Sequence, residues 1–483
     1  PTGSGKTVVG EYAVHAALRD GGKCFYTTPI KALSNQKYAD LCARHGDTRV
    51  GLLTGDISVN GEASVVVMTT EVLRNMLYAA SPTLTGLRSV VMDEVHDLAD
   101  RERGPVWEEV IIGLPESVRL VSLSATVSNA EEVGDWLGTV RGATDVVVSE
   151  HRPVPLWQHV MVGTSLRDLF VDEAQQRTNP DLVRLARDDA RRDRRRPAKG
   201  PKQVRHVAPS RHATPRRVDV VRRLQRSDLL PAIVFVFSRA GCDAAVEQVL
   251  RDGIALTDAA ERAAIDAAVA DVGSRLPADD QAALGFHAWR QGLRAGVAAH
   301  HAGQLPLFKQ TVEMLFSRGL VKVVYATETL ALGINMPARC VVLERLVKWN
   351  GEQHADITPG EYTQLTGRAG RRGIDTEGHA VVVWHQGLDP TDLAGLASTR
   401  TYPLRSSFRP SYNMAVNLVH QVGRRRARRL LESSFAQFQT DRSAVALASR
   451  RARLAEAVEG YRQALACDRG DIGEYMRMRR ALG

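Results

Sequence analysis

Eight short apolar runs constrain this chain more than any other feature. They are residues 24–27 (CFYT), 65–68 (VVVM), 89–92 (SVVM), 120–123 (LVSL), 232–237 (AIVFVF), 321–325 (VKVVY), 340–343 (CVVL) and 380–383 (AVVV). Each is too short for a stable helix, and most are apolar on both faces, as parallel strands covered by helices must be. Helical patterns separate them, so the expected fold is doubly wound α/β. The runs form two groups, which divides the chain into a first unit at 1–150 and a second at 218–405. The breaker residues Pro153 and Pro155 and an Arg/Pro-rich stretch with no apolar periodicity make 151–217 a connector. From 406 to 483 the strands stop, and Leu447, Leu454, Val458, Tyr461 and Leu465 are spaced for one helix face.

Composition narrows the class. At 44% apolar and 25% charged, the chain is an ordinary globular protein. No apolar run approaches the roughly 18 residues of a membrane helix. The five cysteines are scattered without a CxxC pair, which argues against a disulfide framework or zinc site and for a reducing cytoplasm. The net charge of +9 is uneven: 191–226 holds fourteen Lys and Arg against Asp193 and Asp219. That segment reads as a solvated linker or as an arm that touches nucleic-acid phosphates.

Four stretches carry chemistry. Gly3, Ser4, Gly5, Lys6 and Thr7 form a glycine-rich turn before a helix, a pattern whose backbone N–H groups close around phosphate. Lys6 would reach the β- and γ-phosphates and Thr7 would place its hydroxyl on Mg²⁺. Val8, Val9 and Tyr12 suit a helix packed on a sheet. Asp93 and Glu94 emerge at a strand's C-terminal end, where α/β sheets bind ligands. Asp93 would hold Mg²⁺ through water, and Glu94 would position or deprotonate the attacking water. A capping or surface pair is the alternative. His96 has no second His or Cys at ligand spacing. Ser124, Ala125 and Thr126 end another strand, where Ser and Thr also serve as helix caps. In 364–373 (QLTGRAGRRG), Arg368 and Arg371 stand three apart, as on one helix face. Two fixed guanidinium groups suit a phosphoryl transition state, and an arginine finger contributes about 10³–10⁵ in rate.

In that order, residues 1–7 (PTGSGKT), 93–96 (DEVH), 124–126 (SAT) and 364–373 resemble motifs I, II, III and VI of superfamily-two helicases. Residues 28–33 (TPIKAL), 54–56 (TGD), 69–73 (TTEVL), 236–239 (VFSR) and 326–337 (ATETLALGINMP) are similar to motifs Ia, Ib, Ic, IV and V. DEVH, the 300–303 stretch (HHAG) followed by Pro306, Lys309 and Glu313, and 333–339 (GINMPAR) narrow the resemblance. It points to the Ski/Mtr-type, exosome-associated RNA helicases and their actinobacterial HelY-type branch. Residues 407–414 (SFRPSYNM) resemble the entry of that family's winged-helix region. The resemblance covers roughly residues 1–440.

The resemblance implies two RecA-like P-loop domains, then the start of a mostly helical winged-helix region. It implies ATP and Mg²⁺ in the cleft, with hydrolysis driving 3′-to-5′ movement and unwinding on single-stranded RNA. A DNA helicase with the same motor, or a nucleic-acid-binding fragment with an inactive ATPase, are the alternatives. By motif match, Thr2, Gly3, Ser4, Gly5, Lys6, Thr7 and Gly333 bind nucleotide, and Thr7 and Asp93 hold Mg²⁺. Lys6, Asp93, Glu94, Gln364, Arg368 and Arg371 are catalytic. Pro29, Lys31, Gly55, Thr70, Arg239 and Thr327 face the nucleic-acid backbone, and His96, Ser124 and Thr126 couple the sites. The implied setting is a cytoplasmic monomer working with RNA-degradation machinery and no membrane. The family's strand before residue 1 and its helical ratchet domain do not occur here. The expectation is therefore a fragment of a longer helicase that hydrolyses ATP poorly by itself.

Overall fold

The computed structural model describes residues 4–101, 103–125, 127–149, 151–194, 214–331, 336–349, 353–399, 401, 403–442, 454, 457–458, 466–467 and 470–481. Six strands build the first sheet: β1 (Lys23–Thr28), β2 (Val50–Leu53), β3 (Ser58–Val59), β4 (Val65–Thr69), β5 (Leu87–Met92) and β6 (Arg119–Ser122). Their order is β3-β2-β4-β1-β5-β6, and only the β2–β3 pair is antiparallel. Side chains alternate across this sheet, because successive residues of a strand point to opposite faces. Phe25, Val66, Met68, Val90 and Met92 enter one core, and Cys24, Tyr26, Val65, Val67 and Val91 enter the other. Both faces are therefore closed to water, as the uninterrupted apolar runs require.

The second sheet contains β7 (Leu156–Val162), β8 (Ser165–Asp168), β9 (Ala232–Phe235), β10 (Val297–His300), β11 (Val323–Ala326), β12 (Cys340–Leu343) and β15 (Gly378–Val383). A separate hairpin of β13 (Val347–Trp349) and β14 (His354–Asp356) precedes β15. The order is β10-β11-β9-β12-β15-β7-β8, parallel except for β7–β8. Again two cores flank it, with Ile233, Phe235, Val341 and Leu343 on one side and Ala232, Val234, Cys340 and Val342 on the other. The two α/β units and all eight apolar runs are thus present as strands.

The connector differs from the linker expected. Its residues 156–168 supply β7 and β8 to the second sheet, with β7 running parallel to β15 over six residue pairs. It also contains a helix, Pro180–Arg194. Helix Arg217–Arg226, inside the basic 191–226 segment read as a solvated linker or arm, buries Val218, Val220, Val221 and Leu224. Its arginines concealed an i, i+2, i+3, i+6 apolar face. Residues 195–213, most of the basic segment, lie outside the described residues, as do Leu447, Tyr461 and Leu465. Leu454 and Val458 are described and exposed.

The chain after the second sheet returns to the first domain. Leu404, Phe408, Met414, Leu418, Ala427 and Phe435 join the core that holds Trp107 and Trp136. The helix Tyr412–Glu432 breaks at Gly423, where φ is 73°. Asn129 Nδ2 donates to the Leu404 carbonyl at 2.9 Å and the Leu404 amide donates to Asn129 Oδ1 at 2.7 Å. Trp136 Nε1 donates to the Ser433 carbonyl at 2.8 Å. The fully buried Glu108 accepts from Ser406 Oγ and from the Phe435 amide. Burial pushes the Glu108 carboxyl up to about 7, against those hydrogen bonds.

Candidate nucleotide cleft and nucleic-acid edge

Helix Lys6–Arg19 begins at Gly5, whose φ of 93° suits glycine and few other residues. No side chain caps this helix start, and no acidic residue lies in its first turn. Its N–H groups and positive dipole end therefore face the loop, a ready anion site. Gly10 holds the helix close to the sheet, since a Cβ there would stand 3.0 Å from the Tyr26 ring. Gly10, Ala13, Val14 and Ala17 form the packed face, and Val8, Val9 and Tyr12 are exposed, contrary to the sequence expectation. The helical period of 3.6 residues puts those three on the opposite side. Lys6 Nζ donates to the Ser124 carbonyl at 2.8 Å, which ties the loop to the end of β6.

Asp93 and Glu94 follow β5 directly. Tyr26 Oη, from β1, donates to Asp93 Oδ2 at 3.0 Å, and the Glu94 amide donates to Asp93 Oδ1 at the same distance. Burial, then the neighbouring Glu94, pushes Asp93 up to about 6. Burial also raises the Tyr26 hydroxyl, so it stays a donor. Glu94 sits in the left-handed region at φ 55°, an uncommon conformation for a non-glycine residue. Burial raises the Glu94 carboxyl, but His96, Lys6 and Arg368 more than offset this and hold it below the usual range. His96 Nδ1 accepts the Ala125 amide at 3.2 Å, linking the DEVH turn to the strand end at Ser124. Ser124 Oγ is buried and has no hydrogen-bond partner among the described residues.

The second domain brings its arginines to the same place. Helix Pro359–Thr366 carries Gln364 and ends before the arginines. Arg368, Arg371 and Arg372 then lie in turns punctuated by Gly370 (φ 86°) and Gly373 (φ 78°). Arg368 and Arg371 therefore do not share a helix face, because the glycines end the helical repeat. Arg368 interacts with Glu94 across the domains and donates to the Ala331 carbonyl. Arg371 points elsewhere: its Nε and Nη2 form a bidentate pair with Asp375, each at 2.8 Å, and its amide donates to the same carboxylate at 2.9 Å. Arg372, which the motif reading left unassigned, crosses to the first domain. Its Nη1 is 3.5 Å from where a Cβ on Gly5 would stand.

The six residues expected to meet nucleic acid all lie within four positions of the C-terminal end of a strand. Pro29 and Lys31 follow β1, Gly55 follows β2, Thr70 follows β4, Arg239 follows β9 and Thr327 follows β11. Lys31 Nζ pairs with Asp56 at 2.9 Å beside Gly55. Arg239 is exposed at the start of its helix, and its Cδ lies beside Gly303. Thr70 is fully buried and its hydroxyl donates to the Thr28 carbonyl at 3.4 Å, so its side chain is turned into the domain. Thr2, Gly3, Thr126 and Gly333 lie outside the described residues.

With this geometry in hand, comparison with known proteins is decisive. A DEAD/DEAH box helicase model matches residues 1–133, and a helicase conserved C-terminal domain model matches 281–373. The chain belongs to the DEAD/DEAH box helicases. It is 64% identical over 452 residues to the probable helicase HelY of Mycobacterium tuberculosis, covering 92% of this chain and 50% of that protein. It is 60% identical over 489 residues to the Mycobacterium leprae HelY, 99% of this chain and 53% of that one. It is also 36% identical over 495 residues to the ATP-dependent RNA helicase mtr4 of Schizosaccharomyces pombe, 98% of this chain and 42% of that protein. The chain thus spans about half the length of the HelY relatives it matches. The family uses a nucleotide and acts on nucleic acid, and the two matched segments carry the two halves of the cleft. No helix among the described residues is long and apolar enough to cross a membrane.

Proposed function

We propose that this chain is the motor of an ATP-dependent RNA helicase that moves 3′-to-5′ on single-stranded RNA. One observation carries the reading: Glu94 and the Gly5 loop of one domain face Arg368 and Arg372 of the other across a domain boundary. The residues fit ATP with Mg²⁺. An uncapped helix start, a positive-φ glycine, Lys6 and two arginines form a cationic cradle, and Ser124 Oγ has no partner among the described residues. Thr7 and Asp93 are the residues that would hold the metal, with phosphate and water completing its shell. Bound ATP would supply the phosphoanhydride whose cleavage drives movement.

The chain's own groups have separable tasks. Glu94, held ionised below the usual range, accepts a proton from the attacking water. Tyr26 keeps Asp93 oriented. Lys6, which donates to the Ser124 carbonyl, would hold a phosphate oxygen, and His96, bonded to the Ala125 amide, links that strand end to Glu94. The opposing arginines come from the second domain, so hydrolysis is tied to how the domains approach. The strand-end residues of both sheets grip a backbone without reading bases. RNA over DNA rests on the likeness to a relative named an RNA helicase. RNA-degradation machinery as partner, a monomeric state and a cytoplasmic setting belong to the same reading. The test is phosphate release with and without single-stranded RNA or DNA, with Glu94→Gln as blank. RNA stimulation exceeding DNA stimulation supports it; equal or greater stimulation by DNA replaces RNA with DNA, and no turnover with intact RNA binding defeats the motor.

A further inference from the structure

We infer that the arginine-studded half of helix Tyr412–Glu432, residues 424–429, grips the phosphates of double-stranded RNA, the paired part of the substrate. The inference rests on the nucleic-acid reading and adds to it a surface outside the strand-end residues. Residues 405–431 hold seven arginines and no Asp, Glu or Lys. This is a second concentration of positive charge, separate from the one at 191–226.

Gly423 divides the helix into two halves of different character. Before the break, Met414 and Leu418 enter the first domain's core. After it, Ala427 is the one buried residue of 424–429, and all five arginines are exposed. With 3.6 residues per turn, Arg425 and Arg429 stand on the side opposite Ala427, and Arg426 and Arg428 flank them. Ala427 thus fixes which side faces water. Arg428 pairs with Glu432 at 2.9 Å, and both are so exposed that the pair holds it weakly. Arg424, Arg425, Arg426 and Arg429 have no ion-pair partner among the described residues. Like charges four apart on a helix repel each other, and a polyanion laid across them removes that cost. The helix also packs against helix Thr70–Tyr78, whose first residue stands at the nucleic-acid edge. The arginines are therefore carried by the domain that holds half of that edge.

The surface favours phosphate over protein, because a protein partner needs an aromatic or aliphatic anchor in a pocket. Residues 424–429 offer only Ala427, which is already buried. Arginine forks match phosphate oxygens bidentately. The surface also favours paired over single strands. A single-strand platform stacks bases on aromatic rings, and 424–432 contains none. Duplex RNA hides its base faces and is met through its backbone and shape.

The experiment measures binding, without ATP, of a blunt RNA duplex of about 16 base pairs and of an oligo-U strand over a range of salt. The Arg425→Ala/Arg429→Ala protein should bind the duplex about tenfold more weakly. Its slope of log affinity against log salt should shrink by about 1 for each arginine lost. Oligo-U affinity and the thermal midpoint should stay as in the wild type. Arg425→Lys/Arg429→Lys, which keeps the charge, should keep the salt slope. Arg187→Ala/Arg318→Ala, which removes two exposed arginines of the second domain, should leave duplex affinity unchanged. Wild-type duplex affinity and slope in the Arg425→Ala/Arg429→Ala protein overturn the inference. So does an equal loss on oligo-U, which would make the helix part of the single-strand track, or an equal loss in the second-domain control, which would show only diffuse charge. Polyglutamate binding that depends on Arg425 and Arg429, with duplex binding unaltered, replaces RNA with an acidic protein. A wild type that never hydrolyses ATP defeats the motor reading and leaves these binding arms to decide the arginines.

Discussion

On the first domain's side of the cleft, Asp93 and Glu94 leave a strand buried on both faces, and Asp93 is held by Tyr26 and the Glu94 amide. On the second domain's side, Arg368, Arg371 and Arg372 follow a helix end, and Arg371 and Arg372 sit between two glycines of positive φ. The acidic side is anchored to a sheet whose neighbours are dry and close-packed, so its geometry is preorganised. The basic side owes its geometry to a few backbone angles and to ion pairs. A motor whose hydrolysis depends on domain approach gains from this division. The hydrolytic groups stay fixed, and the groups that sense the other domain sit where small backbone changes redirect them.

The comparison can be broken at either side. The largest effect is expected from Glu94→Gln on the preorganised side. Losing a general base should cut phosphate release about 10³-fold, with nucleotide binding retained. Comparable losses of turnover and binding would show that Glu94 holds the fold rather than the water. On the basic side, Gly370→Ala forces a side chain into φ 86° and sets its Cβ 2.6 Å from a Val154 methyl. The cost should be about 2–3 kcal/mol, read as a lower thermal midpoint and weaker coupling of turnover to RNA. An unchanged midpoint would mean the arginine turns are not set by that glycine.

A third test concerns what holds the first domain to the returning chain. Glu108 has its carboxyl raised to about 7 by burial. The folded state therefore binds a proton that the unfolded state has released, and stability is fully present at low pH and lost as pH rises from the unfolded value through about 7. The unfolding free energy from denaturant titrations should fall between pH 5 and 8 by on the order of 2 kcal/mol from this group. Glu108→Gln should flatten that dependence, and an identical slope in the variant would assign it elsewhere. The smallest effect is expected from Tyr26→Phe, which removes one hydrogen bond to Asp93 at about 1 kcal/mol. It should raise the Mg²⁺ concentration for half-maximal turnover, and no change would leave Asp93 oriented by the Glu94 amide alone.

Much of this was legible in the amino-acid order. The parallel strands announced themselves because a strand buried on both faces cannot contain polar residues at regular intervals. The site residues were legible because chemistry in α/β sheets collects where strands end, and Asp93, Ser124, Pro29 and Thr327 each stand just past an apolar run. The strands β2 (VGLL) and β10 (VAAH) passed unnoticed, because a glycine in one and two alanines in the other carry little strand propensity. Tyr26 gave no signal, since a tyrosine in an apolar run reads as core until its hydroxyl is seen 3.0 Å from Asp93. The spacing of Arg368 and Arg371 misled because it assumed a helix through two glycines. Glu108 looked like a helix-surface acid, and only the returning 404–440 segment buries it.

What the sequence determined alone is the local content: two sets of buried strands, a phosphate loop, an acidic pair and an arginine cluster, each encoded within a few neighbouring residues. The tertiary structure decided the partners. It joined β7 to β15, returned residues 404–440 to the first core, buried Glu108 under Ser406 and Phe435 and set Arg368 against Glu94. The reason is physical. Periodicity and turn chemistry act over one or two turns of chain, so they can be read in order. The partner of a buried charge is set by which elements pack together, and that depends on contacts between residues far apart in sequence.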